Sequence, residues 1–420
     1  MFKNNLYYKS FKKLLKHRTF KNTSYLTIGG MFSQLISLIG AFYIPRLLGP
    51  EKYGIFQIVV SYIGIFTFLT FSGVNKIILR ECSRNLDKAK EIIESIIGFK
   101  NLCAIFAIII SVIVLVFMDY DEITKIYIAI FSFTLLIKGL NSSISIIYQA
   151  YEKMKPIAYF QIFQSLLIVP LSIIFLKLGY GVLALIIIQL FTSILILIVN
   201  YKYSKKFVKF NIFSKVKIIK AYLKQGFTFS LLGFFNTLSG KIDIFMLSIL
   251  TTPENVGIYA LAYRIVQKGL IIRKPISASL FPYYTKKYEK EPVRIKKLIK
   301  HTMIIIIPSI LIIIVVLLSS KFVITTIVGN EFIESAKILN VLICYLVVNY
   351  AVIPWGLALQ TTNNEKTLFY IVIVKGALNI TLNLVFYNLY GIIGIAYSTL
   401  LNESFNFLSQ VVVNKKIIKQ

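Results

Sequence analysis

Twelve mainly apolar stretches, each about 20 residues long, follow one another along this 420-residue chain. A stretch of that length spans the hydrocarbon core of a bilayer as an α-helix, because about 20 residues rise roughly 30 Å. Backbone groups inside a bilayer must bond one another, so successive spans form a helical bundle. We predict spans near residues 22–45, 54–77, 92–117, 124–148, 156–176, 181–200, 225–250, 256–277, 302–320, 335–359, 367–387 and 391–413.

The basic residues predict which way the chain crosses the membrane. A net charge of +30 would suit a nucleic-acid binder, but the charges fill short segments between apolar stretches. One alternating set of segments, which includes both termini, holds 32 Lys and Arg, and the opposite set holds 4. Cytoplasmic segments carry this excess. The pattern predicts a multi-pass membrane protein with both termini cytoplasmic, contacting membrane lipids and no nucleic acid.

A short motif occurs twice, half a chain apart. Pro50 and Pro253 each begin a Pro-Glu-x-x-Gly sequence that continues with Ile and an aromatic residue. Gln149, Lys155 and Tyr159 likewise recur as the same residue types 211 positions later. Six spans return the chain to the cytoplasm, so the second half enters in the same orientation, as in a parallel repeat. We interpret the motif as the same outer turn in each half, with Pro ending a helix and Gly permitting a tight turn.

These patterns predict an all-α integral membrane protein with twelve transmembrane helices in two pseudo-symmetric six-helix lobes. The lobes are expected at residues 1–204 and 205–420. The first lobe begins with an interfacial segment, "LYYKSFKKLLKHRTF", which mixes lysines with apolar residues. The basic segment 201–224 is expected to bridge the lobes along the cytoplasmic surface.

Four cations lie deep inside predicted spans: Lys138, Arg264, Lys268 and Lys375. A charge at mid-span costs about 2.5–3.5 kcal/mol on insertion scales, so such residues usually face a cavity or a partner. Each shares a helix face with other polar residues. We predict that they line a central cationic cavity that binds a phosphate or pyrophosphate group. The alternative is that each only pairs with a buried acid and stabilises the bundle.

Two buried acids and one further lysine belong to the same prediction. Asp243 and Glu403 are candidates for proton or cation coupling, and their alternative role is structural pairing. Lys241 is a further candidate for the cavity. On a regular helix it points away from Asp243, but a break at Ser239–Gly240 would change that.

Four segments resemble polysaccharide-type flippases, the O-antigen and capsule transporters often called Wzx. The longest is "GAFYIPRLLGPEKYGIFQIVVSYIGIFTFLTFSGVNKIILRECSRN" at residues 40–85. Residues 255–267, 278–287 and 363–401 resemble later parts of that family. These motifs are mostly turns and apolar runs, so they specify the family better than its cargo.

The resemblance implies a superfamily that also contains multidrug extruders and lipid II flippases. Its fold is MATE-like, with two six-helix lobes around a central cavity and alternating access. The implied cargo is an undecaprenyl-pyrophosphate-linked oligosaccharide of the O-antigen (lipopolysaccharide) or capsule type, carried from the cytoplasmic to the outer leaflet. The implied protein is a transporter rather than an enzyme and needs no cofactor. A polysaccharide polymerase and glycosyltransferases would be its partners in the pathway.

Two other functions compete with this one. A multidrug exporter of organic cations, or an exporter of another lipid-linked precursor, would share the fold, but organic cations favour an acidic and aromatic cavity. A membrane glycosyltransferase or polymerase would use the same sugars. The sequence "DYDE" at 119–122 has the spacing of metal-dependent sugar transferases, yet it lies in a very short outer loop.

Overall fold

The computed structural model of the chain describes residues 18–71, 73–207, 230, 233–234, 237, 240–288, 294–362 and 364–419. The predicted interfacial segment before residue 18 and most of the predicted bridge at 201–224 lie outside these ranges. The described residues contain fourteen long or medium α-helices and no strand. The helices are α1 (Arg18–Phe66), α2 (Val74–Arg84), α3 (Ala89–Val116), α4 (Glu122–Ser132), α5 (Thr134–Ala150), α6 (Lys155–Lys177), α7 (Gly181–Ser204), α8 (Ile242–Leu250), α9 (Pro253–Gly269), α10 (Arg273–Tyr288), α11 (Ile295–Val323), α12 (Ile333–Thr361), α13 (Glu365–Tyr390) and α14 (Ile392–Lys419).

Eight helices in the described ranges are long and apolar enough to span a membrane. They account for nine of the twelve predicted spans, because the first of them, Lys21–Thr70, covers 22–45 and most of 54–77, whose last residues lie beyond a break at Phe71. The predicted span 225–250 is described only in part. The predicted spans 256–277 and 391–413 are helical but more polar, because they carry Arg264, Lys268 and Glu403 among others.

The long helix α1 is interrupted at Gly49, so it consists of two helical segments, 18–48 and 50–66. Gly49 has φ 73° and ψ 170°, a left-handed conformation that glycine adopts at little cost. Pro50 then begins the second segment, where its missing N–H costs no helical hydrogen bond. Pro253 begins α9 in the same way, after Thr252 in extended conformation.

The chain packs into two compact units, and the boundary runs through α1. The first unit is formed within residues 1–40 and 62–234, and the second within 41–61 and 235–420. The second unit therefore contains a piece of each half of the sequence, including both copies of the Pro-Glu-x-x-Gly motif. The predicted lobes at 1–204 and 205–420 describe the sequence repeat rather than these packing units, and that division stays a prediction.

Inside the second unit, the two copies of the motif contact each other. A Cβ added to Gly54 would lie 2.6 Å from the carbonyl carbon of Pro253, and closer to its oxygen. A Cβ added to Gly257 would lie 2.9 Å from the carbonyl carbon of Pro50, again closer to the oxygen. Only glycine permits this approach of two backbones. The motif glycines thus lie inside helices, where they allow the helices to cross, and Gly49 rather than Gly54 forms the turn.

Candidate functional site

Lys138 faces a cavity inside the first unit. The cavity measures about 260 Å³ and lies among α5, α6 and α7. Its lining includes the side chains of Lys138, Asn141, Gln161 and Gln164, and no carboxylate of the described residues belongs to it. The Lys138 ammonium also lies 5.7 Å from the centre of the Phe131 ring. Lys138 is the one member of the predicted cationic set that belongs to this unit.

The first unit also contains a fully buried lysine that sequence reasoning missed, whereas Lys138 is exposed in the cavity. Lys100 on α3 is only 1% exposed, and its ammonium donates to Asn75 Oδ1 at 2.9 Å and to Ser142 Oγ at 2.7 Å. No carboxylate of the described residues lies within 4 Å of it. Both partners are neutral and come from other helices, so the sequence of α3 offers no sign of them.

Asp243 occupies the centre of a polar cluster in the second unit. Asn383 Nδ2 donates to its Oδ1 at 3.0 Å, Thr399 donates to its Oδ2 at 2.8 Å, and the Tyr259 hydroxyl donates to Oδ2 at 3.1 Å. Asp243 is 2% exposed, and no cation of the described residues lies within 4 Å of it. An ionised carboxylate without a counter-ion is costly in such an interior, so this group must hold a proton or a cation.

Oxygen atoms around Asp243 lack the donors that they would normally have. Asn379 Oδ1 and Asn383 Oδ1 are both buried without a hydrogen-bond partner in the described part of the chain. The single proton of the Thr399 hydroxyl faces two acceptors, Asp243 Oδ2 and the Ile395 carbonyl. Carboxylate, amide and hydroxyl oxygens are the ligands that hard cations prefer. The residues present therefore fit a hard monovalent or divalent cation.

Glu403 has a different environment, although it lies only one turn from Thr399 on α14. Its Oε2 forms an ion pair with the Lys375 ammonium, and its Oε1 accepts from Asn349 Nδ2 at 3.2 Å and from Asn406 Nδ2 at 3.0 Å. Asn349 Oδ1 in turn accepts from Arg273 at 2.7 Å. Lys375 and Glu403 therefore form a structural pair. This was the alternative to a cavity role for Lys375 and to a coupling role for Glu403.

Arg264 and Lys268 lie one turn apart on α9, on the face that also carries Gly257. Helical rise places them about 10 and 16 Å from that glycine. Arg264 is half-buried, and its Nη1 lies 3.5 Å from the Tyr53 hydroxyl. No carboxylate of the described residues lies within 4 Å of the Arg264 guanidinium. Two like charges on one face, with no acid paired to Arg264, form a ready site for an anion.

Ser239 lies outside the described residues, and the chain at Gly240 and Lys241 forms a turn rather than helix. Helix α8 begins at Ile242, and Lys241 caps it with φ −131° and ψ −18° outside the helical region. Lys241 is half-buried, and Gly240 accepts a hydrogen bond from the Tyr263 hydroxyl at 3.3 Å. Because Lys241 lies outside the regular helix, helical geometry does not direct its side chain away from Asp243.

The acidic segment at 119–122 has a structural role. Asp121 is the N-cap of α4, and its carboxylate accepts from the Thr124 backbone N–H at 3.0 Å. An N-cap carboxylate satisfies a free helical donor and favours the positive end of the helix. Helix capping thus explains why Asp121 is acidic without invoking a bound metal ion.

Comparison with known proteins gives a family and one relative. The family model described as "Polysaccharide biosynthesis protein" matches residues 19–287. A segment of 199 residues, 46% of this chain, is 22% identical to the "Probable low-salt glycan biosynthesis flippase Agl15" of Haloferax volcanii. The matched segment spans 41% of the length of that relative.

Two solved structures show the fold. "Lipid II flippase MurJ, inward closed conformation" superposes with a TM-score of 0.78 at 18% identity, over 93% of this chain and 87% of the other. An inward-facing multidrug resistance MATE family transporter of the MOP superfamily gives a TM-score of 0.72 at 16% identity, over 95% and 99%. The predicted all-helical membrane fold is confirmed by these likenesses, and the twelve-helix two-lobe layout is consistent with them.

Proposed function

The chain belongs to the polysaccharide biosynthesis protein family, and from that premise we propose that it is a flippase for a lipid-linked oligosaccharide. Membership confirms the resemblance read from its sequence. The cargo is an oligosaccharide repeat unit on undecaprenyl pyrophosphate, of the O-antigen or capsule type, carried to the outer leaflet by alternating access. Both termini lie on the cytoplasmic side of a bacterial inner membrane, and a polymerase and glycosyltransferases act on the same cargo.

The observation that carries this proposal is the pair of cations on α9. Arg264 and Lys268 share one helix face inside the membrane, and the guanidinium has no carboxylate partner among the described residues. A pyrophosphate offers several acceptor oxygens to such a pair, and charge-assisted hydrogen bonds are the strong ones. In this proposal Arg264 and Lys268 bind the pyrophosphate, Lys241 adds positive charge to the same unit, and Lys138 contacts the sugar part of the cargo, whereas the charge of Lys375 is balanced by Glu403.

The competing functions have less support. An exporter of organic cations would bring a positive ligand to Arg264 and Lys268, which repel it. A glycosyltransferase would need the acids at 119–122 for a metal, but Asp121 already caps α4. An exporter of another lipid-linked precursor shares the same pyrophosphate chemistry and is distinguished only by its sugar.

The Asp243 cluster supplies a coupling site for transport. Glu403 has a counter-cation in Lys375, whereas Asp243 has neutral partners and unpaired amide oxygens beside it. Of the two acids predicted for coupling, we assign the exchangeable proton or cation to Asp243. Glu403, one helical turn from Thr399 on α14, then holds Lys375 of α13 in place.

A flipping assay with purified protein tests the proposed function. Vesicles containing the protein and a polyprenyl-pyrophosphate-linked oligosaccharide are exposed to an external glycosidase. We expect almost all of the sugar to become cleavable with the protein, and about half, the outer leaflet, without it. Persistent protection of half of the sugar, together with efflux of an organic cation dye, would indicate a multidrug exporter instead.

Replacing Asp243 with Asn is expected to reduce flipping more than tenfold and to remove its dependence on a cation gradient. Asn keeps the shape of the side chain but cannot bind a proton or offer a negative charge. A second readout is thermal stability, since a cation that binds only the folded protein raises the melting temperature. Na⁺, Li⁺ or Ca²⁺ should stabilise the wild type and not Asp243→Asn.

The matched control is Asp119→Asn, the same change at an exposed acid, which should behave as wild type. Flipping by Asp243→Asn at the wild-type rate, with the gradient dependence intact, would exclude Asp243 as the coupling residue.

A further inference from the structure

The cavity of the first unit is built by three helices that each contribute one face. Lys138, Asn141 and Ser145 on α5 are spaced by three and four residues, and so are the lining residues of α6 and α7. Gln161 and Gln164 come from α6, and Asn200 from α7. Four carboxamides and one ammonium thus converge on about 260 Å³ of space.

One of these carboxamides is held in place with an unused acceptor. Asn200 is 5% exposed, and its Nδ2 donates to Asn141 Oδ1 at 3.0 Å. The Asn200 backbone carbonyl accepts from the Tyr148 hydroxyl at 2.8 Å, which fixes the chain at this point. Asn200 Oδ1 has no hydrogen-bond partner among the described residues. A buried carbonyl oxygen without a donor is costly, so the cavity is suited to a ligand that donates a hydrogen bond there.

The chemistry of the lining excludes several ligands. An acyl chain would leave the carboxamides unpaired, and an organic cation would meet the ammonium of Lys138. A fully ionised phosphate offers only acceptors, which would face the acceptor oxygen of Asn200. A sugar ring has neighbouring hydroxyl groups that both donate and accept, and it can face Tyr148 and Phe160 with its apolar side.

Building on the proposed function, we infer that this cavity binds one sugar residue of the cargo through Asn200 and Gln164, with Lys138 contacting a hydroxyl or carboxylate of that sugar. A single sugar residue is smaller than a drug-sized molecule, whose pockets begin at about 300 Å³. The cavity volume of about 260 Å³ therefore suits one sugar residue.

Saturation-transfer NMR on the purified full-length protein tests this inference, with glucose and glucuronate as probes. We expect transfer from the protein to the ring protons of both sugars. Replacing Gln164 with Leu should weaken binding of both about tenfold, the effect of one hydrogen bond to a buried partner. Replacing Lys138 with Met should weaken glucuronate more than glucose, because Lys138 is the only charged residue among the described residues of the lining.

The matched control is Ser165→Ala, next to Gln164 on α6, whose hydroxyl bonds only the Gln161 carbonyl of its own helix. It should bind both sugars as wild type does. Absence of transfer, equal transfer in Gln164→Leu, or displacement of the sugars by inorganic pyrophosphate would overturn the inference. Failure here with normal flipping by the wild type would leave the proposed function standing. Sugar binding without any flipping would instead remove the proposed function and keep the cavity as a sugar site.

Discussion

Cells whose only copy of this protein carries Arg264→Ala and Lys268→Ala are expected to lose surface polysaccharide while keeping the protein in the membrane. Each side chain would supply a charge-assisted hydrogen bond to the pyrophosphate, worth about 1.5–3 kcal/mol. Loss of both therefore lowers cargo affinity by roughly two to four orders of magnitude. The measurements are surface polysaccharide, detected by antibody or lectin, and protein abundance in isolated membranes.

The matched control is Lys274→Ala, which removes an exposed cation that lies one and a half turns beyond Lys268. It should leave export unchanged. Arg264→Lys should retain part of the activity if charge is enough, and little if the planar guanidinium must grip two oxygens. Loss of the protein itself would mean that the two cations only stabilise the bundle. Normal export from a well-expressed double variant would refute their role in binding.

Gly257→Val and Gly54→Val are each expected to destabilise the folded protein by about 3 kcal/mol or more, above the usual range for overpacking. The added side chain would meet a backbone carbonyl group of the other motif, and a backbone cannot rotate out of the way as a flexible side chain can. Thermal unfolding of the purified variants measures the effect.

A control for this pair is Gly30→Ala, inside the first segment of α1, where an added Cβ has no neighbour within 4 Å. Replacing a helical glycine by alanine in open space is stabilising by up to about 1 kcal/mol. The change in the free energy of unfolding should therefore have opposite signs in the two valine variants and in Gly30→Ala. Wild-type stability in Gly257→Val would mean that the two helices do not approach closely in the membrane.

Apolarity is a property of each segment, which is why the helical spans were predictable from the sequence. The roles of Gly54 and Gly257 were not, because a helical glycine is required only by what lies across from it. The sequence suggested a tight turn for them, whereas Gly49 makes the turn and the motif glycines make a contact between helices.

The candidate site was predictable in its residue types and only partly in its pairings. Lys375, Glu403 and Asp243 stood out because charges inside spans are rare. Which acid meets a cation depends on how α13 and α14 pack, and spacing along one helix does not reveal it. Lys100 escaped notice because its own helix offers only Cys103 and Ala104 one turn on, while its partners come from α2 and α5.

The contact between Gly54 and Gly257 has a consequence for how such a chain can evolve. In a symmetric pair of identical half-length chains, one residue would face its own copy, and a single mutation would alter both sides of the crossing at once. In one continuous chain each side mutates alone, so a change at Gly54 can be followed by a compensating change near Pro253. A single chain with two similar halves can therefore become asymmetric through successive single mutations, each on one side of the crossing. A dimer of one gene product cannot, because every mutation appears on both sides.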